Sequence, residues 1–244
     1  MHSLAARDIH PVVFHLTFEF RPWGFQAFLN KSRPLGRSFL GRGKRRITVE
    51  EIRVSLPPGR RILSALDGWF AARACLDRAR ILHAEEPFGL VHGHVGLPDG
   101  LAALLLGRSL GIPTVATLYG SEALLKARSN VLHRAALGWT LRRLDRVVAL
   151  SRALAEAGRR LSGVRDIRVI PHVADEKLFH PQSRTSARKK LRLPGRGWMV
   201  LFVGSLAPVK GLSDLLKAWS LLPRGTGKLV LGGQGPLRGD LERQ

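Results

Sequence analysis

Cysteine is almost absent: Cys75 stands alone in 244 residues, so no internal disulfide framework can hold this chain together. It reads instead as a small apolar side chain on a helix. Long apolar runs are missing too. Nothing approaches the ~20 residues that a membrane helix needs, and the run Leu101 to Leu106 stops short of Arg108. The opening Met-His-Ser-Leu-Ala-Ala-Arg-Asp lacks a basic stretch followed by an apolar one, so no secretory signal is read and the expected location is cytoplasmic. No internal repeat of about 20–50 residues recurs. Acid is scarce: 18 Asp and Glu stand against 40 Lys and Arg, a net charge of +22. Arginine outnumbers lysine 31 to 9 along the whole chain, with denser runs at Arg42-Gly-Lys-Arg-Arg46, Arg60-Arg61, Arg142-Arg143 and Arg188-Lys-Lys190. Such runs suit anionic lipid headgroups, at about 1 kcal/mol per residue near the surface, or nucleic acid phosphates. Nucleic acid is disfavoured, because the basic residues are not interleaved with aromatics and no reading module is recognisable. Peripheral attachment to the inner face of a membrane and basicity without function both stay open.

What is present is an alternation of short apolar strands and amphipathic helices, the pattern of an α/β protein with parallel sheets. Pro11 to Phe18 reads as a first strand, followed by a loop with Gly24. Phe25 to Leu40 has rough helical spacing, which Pro34 and Gly36 would end early. Ile47 to Val54 suits a strand, placed at an edge because charges interrupt it. Ile62, Leu63, Leu66, Trp69, Phe70 and Ala74 fall on one face of a helix running to about His83. Gly89 to Val95 is a short strand on which His92 and His94, two apart, share a face. Two histidines are half of a metal site at best, no third ligand follows at a suggestive spacing, and a hydrogen-bonding role is preferred.

Pro98-Asp-Gly100 opens a helix to Leu110, and Gly111-Ile-Pro113 closes it. Thr114 to Leu118 is the next strand, with Tyr119-Gly-Ser-Glu122 at the end where parallel sheets collect ligands. Ser121 equally suits a helix cap. Further strands are read at Arg146 to Leu150 and Ile167 to Ile170, with Ser151 capping the helix between them. His172 to Pro181 has little periodicity and reads as a hinge, after which Ser186 to Leu193 forms a short basic helix.

The stretch from Trp198 to Leu222 is the most informative. Met199 to Val203 is an unbroken apolar run of the kind buried on both faces, and Gly204 ends it. After Lys210 and Gly211, Leu212, Leu215, Leu216, Trp219 and Leu222 return at helical spacing. A glycine loop between a strand and a helix aims backbone N–H groups at an anion, for roughly 0.3–2 kcal/mol, and Lys210 would add a full charge. A plain turn with a solvated lysine is an equal alternative on these residues alone. Gly-Gly-Gln-Gly-Pro at 232 to 236, after Leu229-Val-Leu231, repeats the strand-to-glycine pattern.

Four segments in fixed order carry a resemblance. They are Leu90-Val-His-Gly-His-Val-Gly-Leu-Pro-Asp-Gly-Leu-Ala-Ala103 with Gly111-Ile-Pro-Thr-Val-Ala-Thr-Leu-Tyr-Gly-Ser-Glu122, then Asp145-Arg-Val-Val-Ala-Leu-Ser151. Next come Val169-Ile-Pro-His-Val-Ala-Asp-Glu-Lys-Leu-Phe-His-Pro181, and last Leu201-Phe-Val-Gly-Ser-Leu-Ala-Pro-Val-Lys-Gly211 with Gly232-Gly-Gln-Gly-Pro236. Together they resemble the family 4 group of glycosyltransferases. The resemblance implies an α/β chain with two Rossmann-like domains of GT-B type: an acceptor-side domain over residues 1–180 and a nucleotide-sugar-binding domain over 181–244. It implies transfer of a sugar, with retention, from a nucleotide-sugar to a polysaccharide or lipid-linked acceptor, with no metal and no cofactor. By the same resemblance, Lys210 contacts the donor diphosphate, flanked by Gly204, Ser205 and Gly211. Gly233, Gly235 and Pro236 lie near the nucleotide. Gly24, His94, Gly120, Ser121 and Glu122 line the acceptor side of the cleft, and Tyr119 stands near the reacting sugar.

Three departures qualify these expectations. An arginine common in the family beside the lysine is Ser205 here. A histidine common in the family after the strand that ends at Leu118 is Tyr119 here, and a phenol is a poor base at neutral pH. The family's downstream Glu-x(7)-Glu carboxylates would lie beyond Gln244, and only two strands of the second sheet are read against the roughly five or six of a full doubly wound domain. The expectation is therefore an incomplete C-terminal domain, in a truncated glycosyltransferase or in a non-catalytic chain completed by a partner.

Overall fold

A computed structural model describes residues 11–20, 34–40, 47–56, 66–120, 127, 130–195 and 197–243. The chain divides into two compact units, Met1–Val173 and Ala174–Gln244.

In the first unit, β1 (Val12–Phe20), β2 (Pro34–Leu40) and β3 (Ile47–Leu56) form a sheet of order β1-β3-β2. β1 runs parallel to β3 and β2 antiparallel to it, with a register shift between Pro34 and Gly36. Two expectations fail here. The stretch Pro34 to Leu40, which shared the rough helical spacing, is strand rather than helix, because its backbone pairs with Ile47 to Ile52 of β3. The charges in β3 do not send it to an edge: it is the central strand. Glu50, 2% exposed, accepts two hydrogen bonds from the Arg78 guanidinium, at 2.8 and 3.1 Å. A carboxylate can be taken out of water where a bidentate arginine compensates it.

Arg78 belongs to α1 (Asp67–Glu85). The expected apolar stripe of that helix is displaced, since Leu66 and Trp69 are both 47% exposed while Gly68, Ala71, Ala72, Cys75, Ala79 and Leu82 are buried. Small residues let α1 approach α2 (Asp99–Leu110) closely, and that packing decides which face turns inward. Burial pushes the Cys75 thiol up to about 12, so it stays protonated and inert.

The second sheet of this unit is wholly parallel, in the order β4 (Val91–Gly93), β5 (Thr114–Leu118), β6 (Arg146–Ala149) and β7 (Ile167–Val169). Its crossovers are α2, α3 (Val131–Leu141) and α4 (Arg152–Ser162). Gly111 closes α2 with φ 70°, a left-handed turn that a side chain would strain. Asn130 and Ser151 cap α3 and α4 by accepting from the backbone N–H groups of His133 and Leu154. Leu104, Leu118, Leu137 and Leu141, each no more than 1% exposed, centre one apolar cluster. A second joins Ile52 of β3 to α1 and to Ala102 and Leu106 of α2, so α2 serves both. At the start of β5, Asp145 accepts from the Thr114 backbone N–H and hydroxyl, both at 2.8 Å. The Thr114 hydroxyl, then its amide, hold the Asp145 carboxyl below its ordinary value.

The second unit holds α5 (Arg184–Lys190), β8 (Met199–Val203), a 3₁₀ turn (Pro208–Lys210), α6 (Leu212–Ser220), β9 (Lys228–Gly232) and α7 (Arg238–Arg243). β8 and β9 pair in parallel. β8 is not buried on both faces as its run of apolar residues suggests: Leu201 is 57% and Val203 76% exposed. No helix among the described residues is long and apolar enough to cross a membrane.

Candidate functional site

Four parallel strands send their C-terminal ends to one edge, where the side chains of β4 and β5 and the segment after β7 meet. His92, within β4, shares a 2.8 Å hydrogen bond between its Nε2 and the hydroxyl of Thr117, a buried residue of β5. Partial burial, then the neighbouring His94, lower the His92 imidazole below its usual range, so it is neutral at pH 7. His94, just past the strand, stacks on His92 with ring centroids 4.8 Å apart and planes 21° off parallel. Its Nδ1 lies 3.1 Å from the Tyr119 hydroxyl, in a hydrogen bond across the edge. Tyr119 in turn faces His172, 5.6 Å between centroids. The structure thus brings His94 and Tyr119 together, keeps His92 and His94 on one face as their spacing predicts, gives His92 the hydrogen-bonding role preferred for it, and adds His172, which was not singled out as a site residue, to make a row. The signal for His172 was available: it follows β7 as Tyr119 follows β5, and the strands of a parallel sheet all end at one edge, here with β6 between the two.

Such a row offers flat, partly apolar ring faces with polar tips, suited to lie against a polyhydroxylated ring while donating or accepting hydrogen bonds. Gly120 follows Tyr119 with φ 126°, in the region that favours glycine. Gly24, Ser121 and Glu122 lie outside the described residues. Among the described residues, no group of three or more His, Cys, Asp or Glu converges as a metal site.

In the second unit the two glycine junctions are bonded to each other. The Gly204 amide donates to the Gly232 carbonyl at 3.0 Å, Leu206 to Gln234 at 2.8 Å, and Leu237 to Leu206 at 3.0 Å. A Cβ on Gly233 would collide with the Gly204 carbonyl, and one on Gly235 with that of Leu206. Both glycines are therefore required by the close approach of the two loops. The amides of Gly204 and Leu206, which a glycine loop was expected to offer to an anion, are committed to that zipper. The Lys210 side chain and the first turn of α6, whose N–H groups have no intrahelical acceptor, are still offered to an anion. Lys210 is exposed at the end of the 3₁₀ turn, and Gly211, at φ 68°, begins α6. Ser205 and Pro236 are exposed beside it in sequence and loop, while Asp214 sets a carboxylate in the same first turn.

The family model described as Glycosyltransferase Family 4 matches residues 3–178. Among curated proteins, the chain is 30% identical over 157 residues to the Bacillus subtilis glycosyltransferase TuaC, provisionally assigned to teichuronic acid biosynthesis; the match covers 64% of this chain and 40% of that protein. It is 30% identical over 180 residues to a D-inositol 3-phosphate glycosyltransferase of Nocardiopsis dassonvillei, covering 66% and 41% respectively. The chain thus spans about two fifths of the length of these relatives. Solved structures of Anabaena HepE in complex with UDP, and with UDP and glucose, superpose at TM-scores of 0.55 and 0.57 with 17% and 18% identity. They cover 78% and 93% of this chain and 49% and 55% of theirs. At that identity the likeness is one of fold, the GT-B type.

Proposed function

Because the chain belongs to Glycosyltransferase Family 4, we propose that it acts in transferring a sugar from a nucleotide-sugar to a glycan or lipid-linked acceptor, with anomeric retention. The observation that carries this reading is the zipped pair of glycine junctions after β8 and β9, which fixes the loop leading to Lys210 and the start of α6. A cation beside a helix N-terminus stabilises the charge that develops on a departing diphosphate, without a metal or cofactor. UDP and glucose bound to HepE support a uridine donor. On the acceptor side, His94 and Tyr119 orient a hydroxyl, with His92 anchored on Thr117 and His172 bordering the ring row. Gly120 and the residues of the Gly24 and Ser121-Glu122 positions complete that side in this reading.

Calorimetric titration of the intact chain with UDP- and GDP-sugars tests it. Binding is expected, and Lys210→Ala weakens it by about tenfold or more, the loss of one charged contact. Absence of binding to every nucleotide-sugar overturns the reading.

A second reading is favoured by the exposed apolar side chains of the second unit, among them Leu201, Val203, Val209 and Leu221, which are 57–85% exposed. In it the chain is a non-catalytic subunit that pairs with another glycosyltransferase chain. A stable complex without nucleotide-sugar affinity in the intact chain would select it.

A further inference from the structure

We propose that the outward face of α3 is a docking surface for an anionic lipid bilayer. The inward face of this helix is already saturated: Leu137, Thr140 and Leu141 are fully buried against the sheet and its neighbours. On the opposite side stand Val131, 70% exposed, Leu132, 56%, and Trp139, 37%. Positions 131, 135 and 139 recur at helical spacing and 132 lies beside them, so these side chains share one stripe open to water. A helix that has filled its core face has no internal use for a second apolar stripe.

Basic side chains dominate the charge around the stripe. Arg134 flanks it, and Arg142, Arg143 and Arg146 gather at its C-terminal end, all exposed. The Arg143 guanidinium carbon lies 4.2 Å from the centroid of the Trp139 ring. α3 contains no acidic residue; nearby Asp145 is committed to Thr114, and Glu156 of α4 lies 3.8 Å from Arg160. An indole and short aliphatics at the level of the acyl boundary, with guanidinium groups reaching back to headgroup phosphates, is the arrangement that interfacial helices use. A single-stranded nucleic acid would need an open ring face for stacking, and Arg143 occupies one face of Trp139; Val131 and Leu132 offer nothing to a phosphate backbone.

The topology gives the surface a use. β5, α3 and β6 form a parallel crossover, so α3 starts beside the edge that carries Tyr119 and ends at the opposite edge. A bilayer lying along α3 flanks the sheet and leaves the His94–Tyr119 edge uncovered. The proposal stands apart from the transfer reaction, since lipid binding requires no nucleotide-sugar.

Sedimentation of the full chain with vesicles of phosphatidylcholine containing about 30% phosphatidylglycerol tests it, against pure phosphatidylcholine. Binding is expected only to the anionic vesicles. Leu132→Glu, Val131→Glu and the triple Arg142→Ala, Arg143→Ala, Arg146→Ala each lower the partition coefficient by about tenfold or more. The charge-matched triple Arg188→Ala, Lys189→Ala, Lys190→Ala, in α5, lowers it by less than about threefold. The exposed Leu132 and Val131 are each tested, so a fold defect in one, seen as a lowered melting temperature, leaves the other to decide. Equal losses in the two triples with no effect of either glutamate overturn the proposal, as does salt-steep RNA binding without vesicle binding.

Discussion

Two parallel strands of this chain read alike and end in opposite environments. β5, Thr-Val-Ala-Thr-Leu, contains two hydroxyls, yet Ala116 and Leu118 are 0% exposed and Thr114 and Thr117 are buried. β8, Met-Val-Leu-Phe-Val, is the more apolar, yet Leu201 is 57% and Val203 76% exposed. β5 lies between two hydrogen-bonded neighbours with α2, α3 and α4 packed over the sheet, whereas β8 has one partner strand. Burial is a property of the layers around a strand, and the apolar pattern records only what a strand can tolerate. Among the described residues, the second unit buries just Leu206 and Leu212 of its large apolar side chains, both beside the loop that precedes α6.

The contrast is broken most directly by truncating one leucine in each region. Leu137→Ala, fully buried, costs about 3–4 kcal/mol in chemical denaturation. Leu201→Ala costs less than about 0.5 kcal/mol, as an exposed substitution does. Comparable losses at the two sites would dissolve the distinction. A smaller effect, of about 3 kcal/mol, is expected from Arg78→Ala, which strands the Glu50 carboxylate inside the first unit. Replacing both Arg78 and Glu50 with leucine recovers most of it, a result that a purely steric role for Arg78 would not give.

Asp145 supplies the smallest of these effects. Its carboxyl titrates below its ordinary 3.8 in the folded chain, so as the pH falls the unfolded state takes up the proton first. The stabilisation is fully present above that ordinary value and is lost as the pH falls through the folded value. Asp145→Asn costs about 1 kcal/mol at pH 7, after allowance for solvent screening, and less at pH 2. Melting curves at the two pH values check this, and a cost that does not shrink with acid would refute the pairing with Thr114.

Much of the framework was readable from residues alone. Thr114–Leu118 and Met199–Val203 are strands with the expected limits, Gly111 closes its helix, and Ser151 caps the next. Local chemistry sets these features, so a local reading reaches them. The misplacements share a different cause. β3 was assigned to an edge because the partner of Glu50 lies 28 residues away, and the stripe of α1 was misplaced because close packing against α2 favours small residues over large ones. At the site, His94 and Tyr119 were legible from motif order and the shared face of His92 and His94 from their spacing, while the contacts of His92 with Thr117 and of Tyr119 with His172 depend on how the strands are ordered in the sheet. The glycines at 233 and 235 were legible as special positions, but their reason, the opposing carbonyls of Gly204 and Leu206, needed the fold.

The claim that ties the two regions together is that the second unit, though thinly packed, holds the nucleotide-sugar through Lys210 and the zipped loops. Hydrogen exchange read by mass spectrometry, with and without UDP-glucose, tests it most directly. Slowed exchange is predicted over 204–214 and 232–237, abolished by Lys210→Ala, with the amides of β5 to β7 unchanged. Ligand protection confined to the first unit, or none in either loop at saturating donor, would contradict it.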